Sequence, residues 1–131
     1  MTPATLLLLL PVAFAQPPIP AGLWVNPAEG LIVRIAPCGA GFCGYAAGTK
    51  KQNPPANFCG TKLFLDFIWN EKKHPWEGSL QPPEMKTPLN ATATTDGKNN
   101  LTVRASIAFL SKTLTLQSFT GDQANLCALE K

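Results

Sequence analysis

The strongest constraint on the fold is the alternation of apolar and polar residues in short segments. In residues 101–109 large apolar side chains or Ala105 occupy every second position, and the residues between them are polar except Ala108, which predicts a strand with one buried face. Residues 31–36 repeat the pattern, with Leu31, Val33 and Ile35 on one face. Short strands at regular spacing, separated by turn signals, predict an all-β fold, either an antiparallel sandwich or a barrel.

Other segments extend this pattern. Residues 62–69 are apolar on both faces except at Asp66, so their periodicity is compatible with a buried strand and with a short helix. The Asp96-Gly97 pair is a strong turn signal, and a further turn is expected at Ser111-Lys112. Additional strands are predicted at residues 42–47, 76–81, 89–94 and 113–120.

The chain contains four cysteines, Cys38, Cys43, Cys59 and Cys127, which allow three disulfide pairings. Cys38 and Cys43 flank the turn-like insert Gly-Ala-Gly-Phe as a clamp across a hairpin would. That pairing leaves Cys59 with Cys127, which closes a long loop. A zinc site would need CxxC-type spacing or histidine partners, and the missing CxxC also argues against a thioredoxin-like redox pair. We therefore predict two disulfides, no metal site and no cofactor.

The first 15 residues have the layout of a secretory signal peptide. A leucine run leads to a small-x-small cleavage site that ends at Ala15, and Gln16 offers no thiol for lipid attachment. The expected division is a signal peptide at 1–15, a proline-rich leader at 16–21 and a single domain at 22–131. We expect an exported protein, periplasmic or extracellular, with no transmembrane segment in the mature chain.

Charge and composition argue against several classes of function. The net charge is +3 and the basic residues are scattered, whereas a nucleic-acid-binding protein usually carries a basic stripe or a stacking motif. His74 is the single histidine, and no G-x-S-x-G elbow accompanies it. Asp66 would be a candidate acid if buried, but such a carboxylate more often faces solvent. We therefore expect neither an enzyme nor a nucleic-acid partner.

Several motifs resemble a bacterial family. The Gly22-Leu-Trp24 triplet, the Val-Arg-Ile strand and residues 37–44, PCGAGFCG, resemble the opening of domain-of-unknown-function family 2147. Residues 76–78, WEG, and residues 101–104, LTVR, are similar to its later segments. The resemblance implies an exported, lipocalin-like antiparallel β-barrel in which Trp24 closes one end. It implies no established activity.

Two functions fit this description. The first is an exported barrel that binds a small apolar or amphipathic ligand. The alternative is a protein-interaction module, such as an inhibitor of a secreted or host enzyme, that presents its leader and the loop at residues 49–57 to a partner. A hollow interior would favour the ligand carrier, whereas a packed interior would leave the outer surface for function. The aromatic residues that would line a pocket or form the core are Trp24, Phe64, Phe67, Trp69, Trp76, Phe109 and Phe119.

Overall fold

The computed structural model describes residues 17–50, 57–73, 75–82, 86–107, 110–121 and 126–127 of the 131-residue chain. Eight antiparallel strands form a closed barrel in which each strand pairs with the next and β1 closes against β8. They are β1 Gly22–Asn26, β2 Leu31–Cys38, β3 Gly41–Thr49, β4 Lys62–Trp69, β5 Trp76–Leu80, β6 Leu89–Thr95, β7 Asn100–Ile107 and β8 Leu110–Ser118. The all-β fold predicted from the strand pattern is therefore confirmed, and of the two open alternatives, sandwich and barrel, it is the barrel implied by the family resemblance. Within the described ranges no helix has the length and hydropathy needed to cross a membrane.

The alternation in β7 and β2 corresponds to the two faces of the barrel wall. In β7, Leu101, Val103 and Ala105 are buried, whereas the intervening Arg104 is exposed. In β2, Val33 faces the same core. The sequence pattern predicts β7 correctly because that strand has one face toward the interior and one toward solvent. In β2 the same alternation holds from Val33 to Ile35, whereas Ile32 is also fully buried.

The turn predicted at Ser111-Lys112 is wrong. Ile107 pairs with Leu110, and Ser106 pairs with Ser111, so both polar residues lie inside β8. They are exposed because β8 starts there, at the rim of the barrel. The strand predicted at 101–109 is correspondingly shorter, and β8 begins three residues before the predicted start.

β4 is a strand with two irregularities. The first lies at its start, where Tyr45 pairs with Lys62 but Gly44 pairs with Phe64. Leu63 is therefore an extra residue relative to β3, and it is buried together with the adjacent Phe64. A β-bulge of this kind interrupts the strict alternation of side chains.

The second irregularity lies between Leu65 and Ile68, where β4 has one residue more than β5. Asp66, within this interval, has φ 47°, a left-handed conformation that aspartate tolerates better than most side chains. The extra residue returns Phe67 to the interior. The two bulges together place apolar residues at odd and even positions of β4, which is why periodicity alone could not distinguish a strand from a helix.

Side chains fill most of the barrel interior. Gly44 faces inward, and a Cβ there would lie 2.7 Å from the Phe64 ring, so only glycine leaves room for that ring. An eight-stranded barrel is just wide enough for its own side chains to occupy it. The interior cluster consists of Trp24, Val33, Ile35, Phe42, Ala46, Leu63, Phe64, Phe67, Trp76, Leu80, Leu89, Ala91, Ala93, Leu101, Val103, Ala105, Leu114 and Leu116.

The leader is held against the barrel. The Trp24 indole donates a hydrogen bond of 2.9 Å from Nε1 to the Pro20 carbonyl oxygen, and Ile19 packs on the interior cluster. Trp24 is 5% exposed, beneath the leader at the end of the barrel where β1 starts. That Trp24 closes this end remains a prediction.

The C-terminal part of the chain pairs with the end of β3. Leu126 forms a bridge with Gly48, and the Cys127 backbone N–H donates to the Ala47 carbonyl oxygen at 2.8 Å. Ala47 and Ile32 are fully buried although neither belongs to the interior cluster. The predicted Cys59–Cys127 disulfide fastens this paired segment.

Candidate functional site

One end of the barrel is closed by aromatic rings. We call it the aromatic end; it carries the β2–β3, β4–β5 and β6–β7 connections and the rings of Phe42, Phe67, Trp69 and Trp76. Phe42 stacks on Phe67 with ring centroids 5.1 Å apart, and its ring meets Trp76 edge-on at the same distance. Trp69 lies edge-on to Trp76 at 5.5 Å. These rings form a core rather than a pocket.

The remaining candidate residues from the sequence are Phe64, Phe119, Phe109 and His74. Phe64 belongs to the same core and lies 5.8 Å from Phe67, centroid to centroid. Phe119 is half-buried beyond the end of β8 and is not part of the interior cluster. Phe109 and His74 lie outside the described residues. The structure thus brings most of the predicted aromatic residues together, but as parts of the packed core.

The opposite end contains an unfilled space. We call it the leucine mouth; it is lined by Leu31, Leu63, Phe64, Leu80 and Leu114 and encloses about 70 Å³. Its charged rim is formed by the β1–β2 turn and the start of β8. The leucine mouth is not evident from the sequence, because its leucines come from separate strands and meet only when the barrel closes.

The rim of the leucine mouth carries both signs of charge. Lys112 Nζ lies 3.6 Å from Glu29 Oε2, and both side chains are about half exposed. Lys112 precedes Leu114 by two positions on β8, so both project to the same side of the strand. Gln81 and Pro82 complete the described lining. An apolar floor beneath a charged rim suits a molecule with one apolar and one polar part.

A wider concavity lies on the outer face of β5, β6 and β7. It has a volume of about 400 Å³. Its lining is largely polar, with Arg104 and Glu77 as charged members, and Asn70 Nδ2 donates to Glu77 Oε1 at 3.1 Å. It is a shallow, solvated surface of mixed charge without an aromatic platform among its lining residues.

A third feature is the Cys38–Cys43 disulfide together with the neighbouring Asp66. The predicted Cys38–Cys43 disulfide is present, on the hairpin whose two-residue turn contains Gly39 in a left-handed conformation with φ 57°. Asp66 Oδ1 lies 3.6 Å from Cys43 Sγ and 3.8 Å from Cys38 Sγ. Cys43 is fully buried, and Asp66 is exposed. The proximity of Asp66 to the cysteines is not evident from the sequence, because the three residues lie on different strands and Asp66 lies in the bulge of β4.

Asp96 organises the β6–β7 turn at the aromatic end. Its carboxylate accepts hydrogen bonds from Asn100 Nδ2 at 2.8 Å and from the backbone N–H groups of Lys98 and Asn100 at 2.8 and 3.2 Å. The side-chain bond from Asn100, followed by the backbone bonds, lowers the pKa of Asp96 below its ordinary value of 3.8. These contacts are local to the turn that the Asp96-Gly97 pair predicts, and they indicate a structural role.

Comparison with known proteins places the chain in one family. No curated protein and no solved structure matches it significantly. The family described as "Uncharacterized protein conserved in bacteria (DUF2147)" matches residues 22–117, from the first residue of β1 to the penultimate residue of β8. The match includes Cys38, Cys43 and Asp66 but ends before Cys127. This chain, with its closed eight-stranded barrel, belongs to the DUF2147 family.

Proposed function

We propose that this protein is an exported binding module that holds the apolar part of a small amphipathic ligand in the leucine mouth. The observation that carries the proposal is the unfilled volume of about 70 Å³ in an otherwise packed barrel. The signal-peptide layout of residues 1–15 supports export. The proposal assigns no catalytic residue.

The size of the mouth limits the ligand. A volume of about 70 Å³ admits a small branched group or the end of an alkyl chain, not a whole lipid. Each buried methylene contributes roughly 0.8 kcal/mol, so the apolar part alone gives modest affinity. The rest of the ligand extends past the rim, where Lys112 and Glu29 are positioned to meet its polar part.

A protein-interaction module is the second candidate, and the packed interior favours it. If the mouth is too small to hold a ligand, the polar concavity over β5–β7, with Arg104 and Glu77, is a candidate surface for a partner. The leader is held against the barrel through Pro20 and Ile19, which reduces its freedom to engage a partner. Most of the loop at 49–57 lies outside the described residues.

Native mass spectrometry of protein purified without detergent, followed by solvent extraction and lipid analysis, tests the first candidate. Leu114→Phe fills the mouth, whereas Ile68→Phe makes a comparable change at a half-exposed position on the outside of β4. We expect a co-purifying small molecule with the unmodified protein and Ile68→Phe, and reduced occupancy in Leu114→Phe. Protein free of ligand that also fails to bind added amphiphiles contradicts the proposal.

A further inference from the structure

Three side chains with metal-ligating atoms converge outside the barrel interior. Cys38, Cys43 and Asp66 come from β2, β3 and β4, and their sulfur and oxygen atoms all lie within 4.8 Å of one another. Among the residues that the structure describes, this is the one such group of histidine, cysteine, aspartate or glutamate side chains. It is distinct from the leucine mouth, which lies at the other end of the barrel.

The oxidised state does not explain the position of the carboxylate. A disulfide sulfur has no proton to donate, so Asp66 gains no hydrogen bond from either neighbouring sulfur. Nevertheless Asp66 adopts φ 47° in the bulge of β4, a left-handed conformation that aspartate tolerates better than most side chains but that remains less favourable than the right-handed region. The reduced state gives the carboxylate two partners, because the thiols can donate hydrogen bonds or both sulfurs can bind a metal beside it.

We propose that reduction of the Cys38–Cys43 disulfide converts this cluster into a Zn²⁺ site, with both thiolates and the Asp66 carboxylate as ligands. With Zn–S of about 2.3 Å and Zn–O of about 2.0 Å, a tetrahedral site has an S···O edge of about 3.5 Å. The observed Sγ···Oδ1 distances are 3.6 and 3.8 Å. Only the distance between the two sulfurs must increase, to about 3.8 Å for two thiolates on one tetrahedral Zn²⁺.

The local structure accommodates that opening. The two cysteine Cα atoms are 5.8 Å apart, so rotation of the side chains can separate the sulfurs while the hairpin stays paired. Cys38 is half-buried and Asp66 is exposed, which leaves the fourth position of the metal open to water. Zinc sites with three protein ligands and a water in the fourth position are known in proteins, chiefly in enzymes, so this ligand set is sufficient for Zn²⁺.

The redox and proton balance of the two steps is simple. A dithiol reductant supplies two electrons and two protons, the Sγ–Sγ bond breaks, two thiols form, and the reductant becomes a disulfide. Zn²⁺ then replaces both thiol protons, which pass to solvent, while Asp66 binds as the carboxylate. Metal binding is therefore redox-gated, and its affinity rises with pH because the ligands must be deprotonated.

The test uses the full exported chain, oxidised and anaerobically reduced, titrated with Co²⁺ as a spectroscopic probe and with Zn²⁺ in competition with a chromophoric chelator. We expect one metal ion per reduced chain, with thiolate-to-cobalt charge-transfer bands, and none per oxidised chain. Asp66→Asn should weaken Zn²⁺ binding by more than about tenfold, since loss of even an outer-shell partner costs roughly 10–100-fold. Glu71→Gln removes an exposed carboxylate from the β4–β5 connection and should have no effect.

The second cysteine pair needs its own control, because reduction also frees Cys59 and Cys127. A Cys59→Ala/Cys127→Ala variant should keep the metal site, whereas Cys38→Ser/Cys43→Ser should lose it. If either double variant does not fold, as judged by circular dichroism, the difference in Zn²⁺ affinity between Asp66→Asn and Glu71→Gln decides whether the metal binds at this cluster. Absence of metal binding to the reduced chain, or binding that Asp66→Asn leaves unchanged, overturns the proposal.

Discussion

The two ends of the barrel are filled by different kinds of side chain. The aromatic end is packed with flat rings in stacked and edge-on contact, and Trp76 at its centre is fully buried. The leucine mouth is lined mainly by branched aliphatic side chains that leave about 70 Å³ unfilled. Both ends share one backbone architecture, so the difference teaches that side-chain size, not barrel geometry, decides where an eight-stranded barrel has space.

The largest expected effect lies at the aromatic end. Trp76→Ala removes a fully buried ring that contacts Phe42 and Trp69, and we expect the free energy of unfolding to fall by about 3–5 kcal/mol. Urea denaturation at equilibrium measures this loss. A cost below 1 kcal/mol would show that the aromatic end is not the tightly packed end.

The two disulfides should contribute unequally to the free energy of unfolding. Cys59–Cys127 closes a separation of 68 residues, and Cys38–Cys43 closes one of only 5. The chain-entropy relation gives about 4 kcal/mol for the first and about 2 kcal/mol for the second. Equilibrium unfolding of each double Cys→Ala variant measures the two losses of stability. An equal loss, or a larger one for the Cys38–Cys43 variant, would contradict the prediction.

Enlarging a side chain should cost much less stability at the leucine mouth than at the aromatic end. Leu114→Phe extends into the unfilled mouth and should change stability by less than about 1 kcal/mol, whereas Ala93→Leu, beside Trp76 in the packed region, should cost about 1–3 kcal/mol. Thermal denaturation of both variants provides the measurement. A large loss in Leu114→Phe would mean that the mouth is already full.

The smallest effect concerns Asp96 in a turn of the aromatic end. Its pKa is lowered in the folded state, so its hydrogen bonds contribute stability above the ordinary value of 3.8, and that contribution disappears as the pH falls through the lowered pKa. Asp96→Asn should make unfolding less sensitive to acid. An NMR titration of the Asp96 carboxyl group measures its pKa, and a value at or above 3.8 would contradict the assignment.

The sequence predicts features that depend on local spacing. Alternation in residues 101–107 identifies β7, and the four-residue insert between Cys38 and Cys43 identifies the clamped hairpin. The Asp96-Gly97 pair likewise marks a real turn. Each of these features is encoded within about ten consecutive residues, so the physical cause of the structure is visible in the sequence itself.

Features that depend on closure of the barrel are not visible in this way. The bulges of β4 break its alternation, so the convergence of Asp66 with the clamp could not be anticipated. Ser111 and Lys112 resembled a turn because they are polar, but their polarity reflects the rim of the barrel. The leucine mouth needs residues from four separate strands, and no short stretch of sequence records that arrangement.

The most direct test of the account is a methyl and aromatic NMR titration with straight-chain carboxylates of increasing length. If the leucine mouth is the binding site, the methyl signals of Leu63, Leu80 and Leu114 should shift with saturable dependence on concentration. The ring signals of Phe42 and Trp76 should stay constant, and Leu114→Phe should abolish the methyl shifts of Leu63 and Leu80. Shifts confined to the aromatic end, or no saturable shifts at all, would contradict the account.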